Sequence, residues 1–401
     1  MKLLRKSIFL ASVLLATQLA QSQEAISAAG FDVSDSGGIV SCTIGQMFFN
    51  NLTGSSGTTI SEGVQQPYEK RTYTFTTSWA PSNPIGLSFA EDAINVLAGD
   101  VTIASGNTYF DTLTISPGAS VTVAVGASIT ANSATTLNST SSAFSSLIVK
   151  GNITGLINYN RYTALIGSAV GGTNDLISAP VVGQIFGDFA TANTNLAASN
   201  SLRAFAPYNT IAGAYENYDI TSNANTTLLS GIGYRAATTD GSTLKFTGTL
   251  QTAAVSVPIS DAAAGNAWNL IGNPYPSYLN FESFFTANKD QFNSETAYQA
   301  IYGYNGGASN EWTVWNLATM ADPAITGFIA PGQAFFVKAK PTGGVVTFTT
   351  AMQTTGNADD FIVGKQTNLE VALCKLRLSS GTKSASTAIY FIEGTTRGLD
   401  R

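Results

Sequence analysis

The chain has 401 residues, of which 44% are apolar and only 11% charged, with a net charge of −6 and no histidine. An average globular protein carries roughly 25% charged residues, so this surface is built from Gly, Thr, Ser, Asn and Ala instead. The missing histidine excludes Ser-His-Asp and Cys-His nucleophiles, histidine-ligated zinc and a histidine pH switch, and the lack of a basic block excludes a nucleic-acid surface built on counterion release.

Residues 1–22 read as a secretory signal peptide. Lys2, Arg5 and Lys6 form the positive region, Ile8 to Ala16 the apolar region, and Ala20-Gln21-Ser22 a small-residue cleavage site before Gln23. The apolar run is shorter than the ~20 residues of a membrane span, and no cysteine follows it as a lipid anchor. The expected destination is therefore secretion or the outer cell surface, with no membrane span after cleavage.

Residues 23–78 read as an N-terminal β segment. Residues 79–165 then repeat one short phrase: Val101-x-Ile103-x-x-Gly106, Leu113-x-Ile115-x-x-Gly118, Val121-x-Val123-x-x-Gly126 and, more loosely, Leu147-x-Val149-x-Gly151. Each phrase buries few side chains, so stacked neighbours have to supply the core, as in a short β-solenoid. An antiparallel meander is the alternative.

Residues 170–355 read as two copies of one β-sandwich-like module, about 170–250 and 265–355. Leu176, Ile177 and Pro180 match Leu270, Ile271 and Pro274 at one constant offset. Downstream, Phe205 is matched with Tyr304, Tyr215 and Tyr218 with Trp312 and Trp315, Gly231–Tyr234 with Gly332–Phe335, and Leu244 and Phe246 with Val346 and Phe348. The offset widens along the series because loops absorb insertions while strands do not. Alternating runs at Leu244–Thr247, Phe335–Lys338 and Val345–Thr349 predict strands. A helix is predicted over Tyr278–Asn288, where Leu279, Phe284 and Phe285 share a face. The fold class expected is thus all-β: a solenoid-like segment followed by duplicated modules.

Thr354–Asp360 reads as a linker. Residues 361–401 open a further β domain, with strands over Val371–Ser379 and Ala385–Phe391. A lone hairpin is marginal in water, so this part is expected to continue in a longer parent protein.

Five stretches carry a resemblance. SGGIVSCTIGQ (Ser36–Gln46) with EGVQQPYE, then WNLIGNPYPSYLNFESFF and IAPGQAFFVKA, and finally STAIYFIEGTTRGLD resemble large secreted surface proteins of the Bacteroidota, many exported by the type IX secretion system. The likeness covers most of residues 26–401. It implies an exported β-rich protein that ordinarily ends in a sorting domain, and it implies no activity. Asp111-Thr112-Leu113 is similar to the short O-glycosylation motif of that phylum. The family usually has an aromatic residue where Cys42 stands, so no role transfers to Cys42.

Chemistry is sparse. Cys42 and Cys374 are the two cysteines; an exported chain permits a disulfide, but they fall in different apparent domains, and two free strand-borne thiols are the alternative. Tyr298, Tyr302, Tyr304, Trp312 and Trp315 form an aromatic group able to stack on sugar C–H faces. Their counterparts Tyr215 and Tyr218 allow the same rings to be core. Tyr302, Tyr304, Trp312 and Trp315 are the candidate ligand-binding residues. Glu311, Asp322, Asp359 and Asp360 are the carboxylates nearest the second module's loops. A glycosidase needs two carboxyls about 5–10 Å apart, and adjacent Asp359 and Asp360 point opposite ways in an extended segment. The spacing of a calcium loop is missing, and no Walker, Rossmann, C-x-x-C or G-x-S-x-G pattern occurs. No catalytic residue, metal or cofactor is therefore assigned. The expected function is a non-enzymatic structural or adhesive protein whose partners are extracellular polysaccharide or cell-surface components. The alternatives are a carbohydrate-binding module and a glycosidase using Asp and Glu alone.

Overall fold

The computed structural model describes residues 29–35, 38–44, 51–53, 59–61, 68–167, 174–262, 266–295, 298–304, 312–318, 327–357, 359, 372–380 and 383–391. The expected signal peptide, Glu311, Asp322 and Asp360 lie outside the described residues. The fold is all-β, with about 50% of residues in strands, a solenoid of about four turns and several antiparallel sheets after it.

Residues 1–70 form one compact unit and residues 71–401 another. In the first, β1 (Ala29–Asp35) pairs antiparallel with β2 (Gly38–Ile44), placing Cys42 opposite Phe31, and β3 (Asn51–Thr53) pairs with β4 (Thr59–Ser61).

The second unit opens with β5 (Thr72–Phe75), β6 (Trp79–Ala80), β7 (Ala93–Val96), β8 (Asp100–Ile103), β9 (Gly106–Ile115), β10 (Ser120–Val123), β11 (Ala127–Asn138), β12 (Ser146–Val149) and β13 (Asn152–Tyr162). β8, β10 and β12 stack parallel, so Val101, Val121 and Leu147 fall in one column and Ile103, Val123 and Val149 in another. β7, β9, β11 and β13 form the facing parallel sheet, where Val96, Ile115, Leu137 and Tyr159 align. These columns meet as one buried core. Three of the repeated phrases, in β8, β10 and β12, are thus successive rungs of one face, the Leu113-x-Ile115 phrase lies in β9 on the facing sheet, and the meander is excluded by the parallel pairing. The first rung begins at Thr72, ahead of the expected start at 79, because β5 pairs parallel with β7. Thr112 of the glycosylation-like triplet is half-buried and lies mid-ladder between β7 and β11.

The module strands follow. They are β14 (Asp175–Ser178), β15 (Ala198–Ser199), β16 (Leu202–Arg203), β17 (Phe205–Asn209), β18 (Ala214–Tyr215), β19 (Gly233–Ala236) and β20 (Thr243–Gly248), with helix α1 (Phe186–Ala192) after β14. A connecting strand, β21 (Val255–Ile259), leads to β22 (Trp268–Gly272), β23 (Tyr278–Asn280), helix α2 (Phe281–Asn288), β24 (Ile301–Tyr304), β25 (Trp312–Trp315), β26 (Phe328–Ile329), β27 (Ala334–Lys338), β28 (Gly344–Phe348) and β29 (Gln353–Thr354). One sheet runs β14-β19-β17-β18 and the other β22-β27-β24-β25, the same order built from corresponding strands. Each copy carries a short helix, directly after β14 in the first and after β22 and β23 in the second. The helix expected from Tyr278 starts at Phe281, because the Asn280 side chain accepts the Ser283 N–H at 2.8 Å and caps it there.

The register corrects one pairing. Tyr208 faces Tyr215 across β17/β18, and Tyr304 faces Trp312 across β24/β25. Tyr304 therefore corresponds to Tyr208, and Phe205 corresponds to Ile301, which faces Trp315. Two aromatic residues three positions apart offered the sequence two alignments, and strand alternation selects the one that keeps each ring on its own face.

The copies meet through symmetric backbone contacts. Ser178 N–H donates to the Gly332 carbonyl at 2.8 Å, and Gly272 N–H, at the equivalent position, donates to the Gly231 carbonyl at 2.9 Å. Gly231 and Gly332 are themselves equivalent, and both have positive φ, at 83° and 61°, a conformation glycine adopts without a Cβ penalty. Around this junction the inner faces diverge. The first copy shares its core with the solenoid, since β20 pairs with β13 and Phe186, Phe189, Phe205, Tyr234 and Phe246 join the solenoid cluster. That pairing covers the last solenoid strand, which would otherwise present an open edge. The second copy has its own core around Phe281, Phe284, Phe335 and Phe348, with β28 paired to β21.

Beyond the modules, β30 (Ala372–Ser380) and β31 (Lys383–Phe391) form the predicted hairpin, with Cys374 opposite Ile389. Among the described residues, no helix is long and apolar enough to cross a membrane.

Candidate functional site

The outer faces of the two module sheets meet in a third, smaller apolar cluster. Alternation along each strand decides which rings reach it. In β24, Ile301 turns into the second core while Tyr302 and Tyr304 turn outward; in β27, Phe335 and Val337 turn inward while Phe336 and Lys338 turn outward. Trp268 and Leu270 of β22 share that outer face. From the first copy, Tyr208 and Tyr215 reach over to it.

The result is a cavity of about 360 Å³ lined by Tyr208, Tyr215, Trp268, Tyr302, Trp312 and Phe336. Phe336 is its floor, 5% exposed, and Trp312 stands at the mouth, 44% exposed. Four rings stand nearly upright on that floor. Tyr208 lies 4.9 Å from the Phe336 centroid at 90°, Trp312 5.6 Å at 77°, Tyr215 6.2 Å at 76°, and Trp268 6.4 Å at 87°. Tyr302 meets Trp268 edge-on at 4.8 Å. Edge-to-face contacts of this kind satisfy the ring quadrupoles and hold the walls upright. The arrangement is a box rather than a flat stacking platform.

The candidate residues divide accordingly. Tyr302 and Trp312 line the cavity. Tyr304 stands behind Trp312 at 5.2 Å and supports it. Trp315 is not a wall. It is 5% exposed in the second module's core, edge-on to Phe281 at 5.4 Å, because positions three apart in a strand face opposite ways. Tyr298 stands outside the lining, 6.1 Å from Trp268.

Polar groups rim the box. Asn266 Nδ2 donates to the Tyr208 hydroxyl at 3.4 Å, and Thr210 Oγ1 donates to the Trp268 carbonyl at 2.8 Å. The Arg235 guanidinium lies over the Tyr215 ring at 4.2 Å and donates to Asn217 Oδ1 at 3.4 Å. Lys338 Nζ lies over the Tyr298 ring at 3.3 Å. Burial pushes the Tyr215 phenol well above its ordinary range, against the pull of Arg235, and burial also raises Tyr302. Both hydroxyls therefore stay protonated near neutrality and can donate to a ligand oxygen. The described lining residues include no carboxylate, and among the described residues no three His, Cys, Asp or Glu converge as metal ligands. A shallower cavity of about 500 Å³ along Ile259–Asp261 and Pro341–Val345 offers a single carboxylate, Asp261, and no ring.

A family model described as a domain of unknown function matches residues 74–401. The chain belongs to the DUF8693 family. No curated protein and no solved structure matches it. The DUF8693 match takes in nearly all of the solenoid and both module copies, so every wall of the aromatic box lies inside it.

Three walls of this DUF8693 box escaped the sequence reading as site residues: Tyr208, Trp268 and Phe336. Tyr215 was noticed only as a repeat partner. For Phe336 a signal existed, since Phe335 and Phe336 are adjacent in a strand and only one can enter the core. For Tyr208 it lay in the alternative alignment with Tyr304.

Proposed function

We propose that this chain is an exported, non-enzymatic binding protein of structural or adhesive kind that holds carbohydrate in the aromatic box between its module copies. One observation carries the reading: six rings from both copies converge on one solvent-accessible cavity whose described lining is apolar apart from phenol and indole groups. Binding pockets commonly have roughly 300–1,000 Å³, mostly apolar walls and a few polar groups, and a pyranose presents C–H faces to rings and hydroxyls to phenols. Two facing carboxyls, which hydrolysis without histidine would need, are not among the described lining residues. Export rests on residues 1–22 and on the resemblance to secreted surface proteins.

The test is a glycan array probed with the mature full-length chain, followed by calorimetric titration of the best glycan. Trp312→Ala should weaken binding roughly tenfold or more, as loss of a central aromatic anchor does, while leaving the melting temperature near that of the parent. An array without a hit, or undiminished affinity in Trp312→Ala, would reject the reading.

A further inference from the structure

Resting on the carbohydrate reading above, we infer that the box selects an acidic sugar, a uronate, and grips it at a chain end. Shape gives the second part. Walls at 76–90° to the floor enclose a ligand on several sides, whereas a polysaccharide running through would need rings laid along a line. A cavity of about 360 Å³ takes a terminal unit and leaves the rest of the glycan outside past Trp312.

Charge gives the first part. Two cations flank the box, although the chain as a whole is acidic, with 25 Asp and Glu against 19 Lys and Arg. Lys338 sits directly opposite Trp268 in the β22/β27 ladder and two residues from Phe336, on the same sheet face. Arg235 occupies the position in β19 that corresponds to Phe336 in β27, as each lies opposite the matching Leu176 or Leu270. Each cation rests on a ring, Arg235 on Tyr215 and Lys338 on Tyr298, and among the described residues neither meets a carboxylate. Ring contact takes up a face of each cation, and beyond the long Arg235–Asn217 bond at 3.4 Å their N–H groups are positioned to meet a new acceptor. Guanidinium forks match carboxylates bidentately, and such charge-assisted bonds are about twice as strong as neutral ones. A quaternary ammonium ion, the other ligand that aromatic boxes hold, would be repelled by the same two charges and would find no carboxylate in the described lining. A uronate satisfies both features: its ring enters the box, and its carboxylate meets the cations.

The test compares tri-galacturonate with its methyl ester, which keeps the rings and removes the charge, by tryptophan fluorescence and calorimetry on the mature full-length chain at low ionic strength. The free acid should bind roughly tenfold more tightly than the ester. Arg235→Gln and Lys338→Gln should each shrink that ratio, and the double variant should bring it to within about twofold, with melting temperatures checked to establish folding. Equal affinity for acid and ester would overturn the uronate inference while leaving carbohydrate binding intact. Binding of neither sugar would overturn the uronate inference and leave the carbohydrate reading to the glycan array, and binding of tetramethylammonium in their place would overturn both.

Discussion

Gly272→Ala should destabilise the chain by about 3 kcal/mol, the upper end of what overpacking costs, and lower its melting temperature by several degrees. A Cβ at position 272 would stand 2.5 Å from the Ser178 Cβ and 3.0 Å from both the Ala334 Cβ and the Gln333 carbonyl oxygen. Ser178 and Gly272 are equivalent positions in the two copies and lie against each other at the junction. Only one of the pair has room for a side chain, and it is Ser178, fully buried. The partners repeat the pattern: Ser178 lies opposite Gly233, and Gly272 lies opposite Ala334. A Cβ on Gly233 would likewise stand 2.6 Å from Leu270 Cγ and 2.8 Å from the Ala334 Cβ. Moving the side chain across the junction, with Ser178→Gly added to Gly272→Ser, should recover at least about half of the loss, as expected when two residues in contact are coupled. A Gly272→Ala chain that melts with the parent would show that the copies do not meet as described.

Asn288→Ala should cost about 3 kcal/mol or more in chemical denaturation. Asn288 is 1% exposed at the end of α2. Its Nδ2 donates to the Phe284 and Thr347 carbonyls, each at 2.9 Å, and its Oδ1 accepts the Thr347 N–H at 2.8 Å. One amide thus ties the helix to β28 by bonding both backbone groups of Thr347. Alanine would remove all three bonds, leaving the part-buried Thr347 N–H and carbonyl without this partner and the buried Phe284 carbonyl short of one donor, where each group left unpaired costs about 1–3 kcal/mol. Asn193 makes the same three bonds at the end of α1, to Phe189 O at 2.8 Å and to Lys245 O and N at 2.9 and 2.7 Å. Asn193→Ala should therefore behave alike, and a loss below about 1 kcal/mol in both variants would contradict the clamp.

These paired asparagines also show what the sequence held and what it hid. The solenoid was legible because Val101, Val121 and Leu147 recur in phrases whose columns have to stack to be buried. The doubled module was legible in Leu176-Ile177 against Leu270-Ile271, strands that cannot absorb insertions. Helix α1 was not read: it spans seven residues and Ile185 supplies no side-chain cap. Its only local signals, Phe186, Phe189 and Ala190 at helical spacing and Asn193 answering Asn288, required the second copy as a template. The aromatic box stayed hidden for a different reason. Tyr208 and Trp268 become neighbours only once the glycine junction sets the two sheets face to face, and no local pattern encodes that. Trp312 and Trp315 lie three apart in one strand, so alternation sends them to opposite faces, Trp312 to the cavity and Trp315 to the core.

The most direct measurement uses the four tryptophans as internal reporters. Trp268 and Trp312 line the box, Trp315 faces the opposite core, and Trp79 packs on Phe75 in the first solenoid rung. In the mature chain labelled with ¹⁵N-tryptophan, each indole N–H gives one resonance, assigned by single Trp→Phe substitutions. On saturation with the glycan selected above, the Trp268 and Trp312 resonances should move while Trp79 and Trp315 hold still. Saturable binding that shifts Trp79, or that leaves Trp268 and Trp312 in place, would contradict a sugar site between the module copies.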